Sequence, residues 1–259
     1  VLQQVEHFNN PNITQNDAFK YVTRYFDRIT RPEQILQTLP QAIQTMLDPA
    51  DCGPACISLS QDVQGEIFDY PEEFFDEKIH TIRRPRPDDY QIKKAVELIK
   101  KSKNPIIISG GGVFYSDAMK ELSQFAKKHN IPTAQTVMGY STMKRDDPYF
   151  LGAIGGFGGK APNDFIKKTD LAIAIGTKLA DFTTGSWSNF ENANFKLVSI
   201  NVSRFDASKH MAQSIVGDAK VSIQDLTNAL GNWKSSDDWY KKSRSAVKTW
   251  NNYLDKESG

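Results

Sequence analysis

Cysteine is scarce: Cys52 and Cys56 are the only thiols in 259 residues. Two thiols cannot make a disulfide scaffold, and a reducing cytoplasm is the expected compartment. Histidine is as sparse, at His7, His80, His129 and His210. These positions have no metal-ligand spacing among themselves or with the cysteines, so no metal site is expected. Charge of one sign is also lacking. The formal net charge is +1, which gives nucleic acid or anionic lipid no field to follow. No apolar run approaches a membrane span, and no charged n-region followed by an apolar h-region opens the chain. Val1 stands where a start Met would, so a processed chain or a fragment of a longer one is expected. Catalytic signatures are missing too: there is no G-x-S-x-G, no H-E-x-x-H and no P-loop. The carboxylates sit mostly on lysine-rich helix faces, the usual solvated arrangement, and no residue is nominated for acid–base work.

What is present is an apolar, β-branched rhythm. Ile106-Ile107-Ile108-Ser109 runs into Gly110-Gly111-Gly112, and Ser116-Asp117 follow. This order reads as strand, tight turn and helix start, where backbone N–H groups could approach an anion. The spacing is not G-x-G-x-x-G, so a plain tight turn in an α/β sheet is the preferred reading of the glycines and a ligand contact the alternative. Around it, apolar positions at helical spacing predict helices over 89–102, 116–129 (capped by Ser116) and 220–230. Strands are expected at 105–109, 131–136, 171–177, 196–202 and 214–219. Gly155–Gly159 reads as a flexible loop before a helix containing Asn163, Phe165 and Ile166. Strands that alternate with helices and are apolar throughout imply βαβ crossovers and a parallel sheet buried on both faces. Ligands in such folds sit beyond the carboxyl ends of the strands. Here those ends are Gly110–Gly112, Gly176-Thr177, Asn201-Val202 and Gly217-Asp218.

The first part of the chain is a separate α/β unit. Thr30-Arg31-Pro32-Glu33 reads as a capping box with Pro in the first turn. The following helix carries Ile35, Leu36, Leu39, Ile43, Met46 and Leu47 on one stripe, with Pro40 expected to kink it. Gly53-Pro54 then turns into a strand at 55–60, where Cys56 packs as a small hydrophobe. A boundary falls near 80–88, where Arg83-Arg84-Pro85-Arg86-Pro87 reads as a solvated linker. In the tail, Trp239, Val247, Trp250 and Leu254 form one helical stripe. That stripe could dock on its own domain or belong to a neighbour.

The segments Pro105–Gly112, Ala174–Thr177, Ser199–Val202 and Gly217–Lys220 resemble the central domain of thiamine-diphosphate enzymes of the acetolactate synthase type. The resemblance implies an α/β, doubly wound, six-stranded parallel sheet, the DHS-like NAD/FAD-binding fold, preceded by a partial α/β unit. Residues 1–70 would be the C-terminal part of a pyrimidine-binding domain, 71–88 a linker, 89–232 the central domain, and 233–259 a linker toward a diphosphate-binding domain. Three further motifs, Val1–Glu6, Arg24–Gln34 and Ile57–Glu66, together with Ile200–Arg204, are similar to a branch that opens a cyclic diketone in myo-inositol breakdown. Such an enzyme is a C–C bond hydrolase using thiamine diphosphate and magnesium, and it works as a homo-oligomer, a dimer or tetramer. Its activating glutamate and its Gly-Asp-Gly segment have no counterpart here, so an inactive middle fragment is expected. Some members hold ADP or FAD along turns matching Gly110, Gly111, Gly112, Gly176, Thr177, Asn201, Asp218 and Ala219, with Gly155–Gly158 covering them; others keep this domain as an empty scaffold. Asn201 stands where other branches carry an acid, and it offers a ribose only a neutral acceptor. A sirtuin-like deacylase would need a four-cysteine zinc set and a catalytic His-Gly, which this sequence lacks.

Overall fold

The computed structural model describes residues 9–257. The motif Val1–Glu6 and the last two residues lie outside them. The chain divides into two units, at Arg83 and Arg84.

In the first unit, strand β1 (Tyr25–Ile29) is followed by helix α1 (Ile35–Leu47) and strand β2 (Ala55–Leu59). The strands pair in parallel, from Tyr25 opposite Ala55 to Ile29 opposite Leu59. Strand β1 was not expected. Asp27 and Arg28 interrupt its apolar pattern, and Asp27 is used inside the unit. Its carboxylate accepts from Gln34 Nε2 at 3.1 Å and from the Thr38 hydroxyl, which ties α1 to β1. The expected capping box is displaced by one residue. A 3₁₀ turn, Pro32–Gln34, leads into α1, and Gln34 rather than Glu33 accepts from the Thr30 N–H. Cys56 is half-buried in β2 and Cys52 is exposed.

The second unit opens with α2 (Asp89–Lys101), β3 (Pro105–Ser109), α3 (Gly111–Tyr115), α4 (Met119–His129), β4 (Thr133–Gln135), β5 (Phe150–Ala153) and α5 (Lys160–Ile166). It continues with β6 (Leu171–Ile175), α6 (Asp181–Thr184), β7 (Lys196–Asn201), α7 (Arg204–Ala207), β8 (Gln213–Val216), α8 (Ala219–Leu230) and α9 (Asp237–Glu257). One six-stranded sheet has the order β5-β4-β3-β6-β7-β8, and every pairing is parallel. Strand β5 is the sixth strand, which the apolar rhythm alone does not reveal. It is four residues long, contains Gly152 at φ +121°, and pairs with β4 across a register shift.

The unbroken apolar strands follow from burial on both faces. Ile107, Ile173 and Val198 pack with Ile92, Leu122 and Leu226 of α2, α4 and α8. The intervening Ile106, Ile108 and Ala172 pack with Phe165 and Trp239 of α5 and α9. The helix expected over 116–129 is in fact two. Asp117, at φ +52°, breaks it, so Ser116 closes α3 instead of capping α4.

Residues 233–243 are an integral part of this unit. Asn130, in the left-handed region at φ +56°, ends α4 and turns its side chain to the Ser235 carbonyl (3.2 Å) and the Asp237 carboxylate (3.1 Å). Ser235 returns two bonds, from its N–H to the His129 carbonyl and from its hydroxyl to the Asn130 carbonyl. His129 Nδ1–H donates to the Trp233 carbonyl at 2.7 Å, while the buried Nε2 has no partner. Burial holds this imidazole below its ordinary value of 6.5, and the nearby Lys128 and Lys234 act in the same direction. The unfolded chain therefore takes up the proton first. Its contribution to stability is constant above pH ~6.5 and falls as pH drops below it, by at most about 1.4 kcal/mol per pH unit. Urea unfolding of the wild type and His129→Phe between neutral and mildly acidic pH checks this: the steeper loss in the wild type is expected to disappear in the variant.

Candidate functional site at the carboxyl edge of the sheet

The chain reverses direction across the sheet between β3 and β6, because β4 and β5 extend one side and β7 and β8 the other. That switch point is where a doubly wound sheet opens a crevice. Gly110, Gly111 and Gly112 leave β3 there, and Gly176 and Thr177 leave β6 beside them.

The glycines are required by close backbone approach. Gly110 N–H donates to the Ile175 carbonyl and Gly112 N–H to the Gly176 carbonyl, both at 2.9 Å. A Cβ on Gly110 would lie 2.6 Å from Thr177 Cβ, and one on Gly112 2.6 Å from Gly176 Cα. Gly176 itself sits at φ +61°. Two of the three glycine amides are thus committed to the neighbouring turn. Asn201 joins the same group: its Nδ2 donates to the Thr177 carbonyl (3.3 Å) and its Oδ1 accepts from Ser203 N–H (3.0 Å).

Asp218 and Ala219 belong to the next turn and are held differently. Asp218 is buried and caps α8, accepting from the Lys220 and Val221 amides. Its other carboxylate oxygen meets Arg84 Nη1 at 3.1 Å, and the same guanidinium donates to the Ser116 carbonyl. Arg84 therefore ties the end of β8 to the end of α3, and Arg86 pairs with Asp225 at 3.0 Å. The basic run read as a solvated linker supplies structural clamps, a role visible only once Asp218 and Asp225 are placed in space. Asp218→Ala removes an N-cap and leaves Arg84 unpaired. The expected loss is about 2–3 kcal/mol by chemical denaturation, with Asp218→Asn losing less because it can still cap.

The loop at Gly155–Gly159, expected to be flexible, is pinned. Asn163 accepts from Gly155 N–H and donates to the Gly155 carbonyl, and Gly156 N–H reaches the Phe182 carbonyl at 2.7 Å. Phe157 stacks on Phe182 with centroids 5.7 Å apart. Large apolar side chains follow five strand ends in turn: Phe114 and Tyr115, then Met138, Phe157, Phe182 and Phe205, all more than half exposed. This is a broad exposed apolar edge. Sequence reading by glycine position does not find it. The signal is one aromatic or Met within a few residues of each of these strand ends. Gln135, at the end of β4, adds a buried Oε1 with no partner.

Residues 92–226 match the family model of the thiamine pyrophosphate enzyme, central domain. The chain belongs to this family. Three relatives named 3D-(3,5/4)-trihydroxycyclohexane-1,2-dione hydrolase match both units. The protein of Clostridium perfringens (strain 13 / Type A) is 46% identical over 238 residues, 91% of this chain and 37% of that protein. That of Clostridium tetani is 43% identical over 256 residues, 99% of this chain and 40% of the relative. That of Geobacillus thermodenitrificans is 41% identical over 256 residues, 99% and 39%. The chain spans about two fifths of the length of these relatives.

Thiamine diphosphate carries a diphosphate that is held through a divalent cation. Among the described residues no three His, Cys, Asp or Glu side chains gather to hold a metal. The buried acid of the carboxyl edge, Asp218, is spent on Arg84 and on a helix cap. The described residues therefore do not fit this group. Among the described residues, no helix is long and apolar enough to cross a membrane.

Proposed function

We propose that this chain is the middle part of a longer, thiamine-diphosphate-dependent hydrolase. That enzyme adds water across a C–C bond of the cyclic diketone 3D-(3,5/4)-trihydroxycyclohexane-1,2-dione and opens the ring to 5-deoxyglucuronate, in myo-inositol degradation. The observation that carries this reading is that 41–46% identity to relatives of that name runs through both units and not through the central domain alone. Residues 1–70 complete a pyrimidine-binding domain in the longer protein. Residues 71–88 are its linker, 89–232 its central domain, and the end of 233–259 leads toward a diphosphate-binding domain. Thiamine diphosphate and magnesium are held by those other parts. The parent is a cytoplasmic homo-oligomer, a dimer or tetramer.

In this reading the central unit orients its neighbours. Its carboxyl edge is closed by its own backbone, and its exposed aromatics offer a surface to cover. The test is direct. The protein from the full open reading frame, supplied with thiamine diphosphate and magnesium, is expected to consume the diketone, and the 259-residue chain under the same conditions is not. Turnover by the short chain, or none by the long one, would overturn the reading.

A second reading places ADP or FAD against Gly110, Gly111, Gly112, Gly176, Thr177, Asn201, Asp218 and Ala219. Their position at the switch point favours it, and the commitment of Asn201 and Asp218 to internal partners opposes it. Calorimetry with ADP and FAD separates the two. Saturable heat that is lost in Asn201→Ala supports the nucleotide, and no heat at millimolar ligand leaves the scaffold.

A further inference from the structure

The second half of α9 and the edge strand β5 bound a cleft of about 240 Å³. Leu151, Pro162 and Val247 give it an apolar lining, and Trp250 adds an indole. A Cβ on Gly159 would come within 2.9 Å of Trp250 Nε1, so the glycine lets the indole seat against the chain. The polar groups of the cleft are Arg145, Asp146, Arg244 and Asn251. Arg244 donates one Nη1–H to the Phe150 carbonyl at 3.3 Å, and its other N–H groups have no partner among the described residues. Arg145 and Asp146 have no hydrogen bond or ion pair among the described residues. Elsewhere on this unit many surface charges do pair: Lys160 with Asp164, Lys167 with Glu191, Lys209 with Asp206, Lys242 with Asp238.

We propose that this cleft binds a small polyhydroxylated carboxylate, a sugar acid. Its carboxylate lies between Arg145 and Arg244, its hydroxyls reach Asp146 and Asn251, and its C–H face rests on Trp250. Each part follows from the chemistry of the lining. Two guanidinium groups with free N–H donors match one carboxylate. An unpaired acid beside them repels a polyanion and requires donors, which hydroxyls supply. An indole offers an apolar, π-rich surface to a C–H face. The volume is below that of a drug-sized pocket and admits only a small molecule. The inference stands on the cleft alone and is independent of the hydrolase reading.

D-Glucuronate is the probe, titrated into the 259-residue chain and followed by tryptophan fluorescence and calorimetry. Saturable binding with a Kd of roughly 1 mM is expected. D-Glucose, which has no carboxylate, and inorganic phosphate, which has no hydroxylated carbon face, are expected to give no saturation in the same range. Arg145→Gln, an exposed change that leaves the fold intact, is expected to weaken binding about tenfold through loss of a charge-assisted bond. Trp250→Phe is expected to abolish the fluorescence change while weaker calorimetric binding persists. Three results would each sink the proposal: no saturation by glucuronate, equal binding of phosphate, or unchanged affinity in Arg145→Gln.

Discussion

Gly110→Ala and Gly112→Ala are expected to destabilise the second unit by about 4 kcal/mol or more, a fall in Tm on the order of 10 °C. Neither glycine is needed for an unusual φ: Gly110 sits at φ −118°, where any residue is at ease. The cost is overlap. The added methyl of Gly110→Ala would meet the Gly176 carbonyl oxygen and Thr177 Cα, the latter at 2.8 Å, and that of Gly112→Ala would meet the Gly176 backbone. These obstacles are backbone atoms just past the end of β6, so no side-chain rotation relieves them. The turn must move as a whole, breaking the bonds from Gly110 N–H and Gly112 N–H. Gly231 provides the contrast within the same unit. It ends α8 at φ +62° and ψ −118° with nothing within 4 Å of a built Cβ. Gly231→Ala therefore costs only its backbone strain, about 1–3 kcal/mol. Thermal unfolding of the three variants, monitored by circular dichroism, checks the order. If Gly110→Ala matched Gly231→Ala, the switch point would have room to open, and the crevice would be free for a ligand after all.

How much of this was legible in the sequence depended on whether a signal was local. Residues 106–108, 171–175 and, Ser199 apart, 197–200 are apolar without alternation, because both faces of their strands are covered, and that alone identifies interior parallel strands. Strand β5 is an edge strand of four residues with a glycine at positive φ, and β1 carries a charged pair, so neither shows a run long enough to read. The family resemblance supplied the sixth strand that the pattern did not. The eight candidate residues lie at or just beyond strand ends. Their position says nothing about whether a group is free, however. Asn201, Asp218 and two glycine amides each spend a hydrogen bond on a partner 24–134 positions away in the chain. The clamps Arg84 and Arg86 were invisible for the same reason: a basic, proline-rich run looks solvated until its acids are located. Gly155–Gly159 looked flexible because glycine is permissive, and Asn163 removes that freedom with two bonds.

The largest single side-chain effect is expected at Trp239. This residue sits in the charged start of α9, among Asp237, Asp238, Lys241 and Lys242, on the apolar stripe that could dock on its own domain or belong to a neighbour. It is 3% exposed. Its indole N–H donates to the Pro105 carbonyl at 2.8 Å, at the start of the central strand β3, and its ring stacks on Phe165 of α5 at 4.1 Å. Trp239→Ala opens a large cavity between α9, α5 and the sheet and leaves a buried carbonyl without its donor. The expected loss is about 4 kcal/mol. Trp239→Phe keeps the ring contact and loses the bond, for about 1–2 kcal/mol. Trp250, half-buried eleven residues later on the same helix, should tolerate Ala with under about 1 kcal/mol of loss. Chemical denaturation of the three variants measures the order, and limited proteolysis locates the effect. Cleavage within 237–257 is expected to rise sharply for Trp239→Ala. A linker that merely rested on the surface would leave the stability of the sheet untouched by any of these changes. If Trp239→Ala unfolded at the wild-type midpoint, α9 would have to be read as belonging to a neighbouring domain.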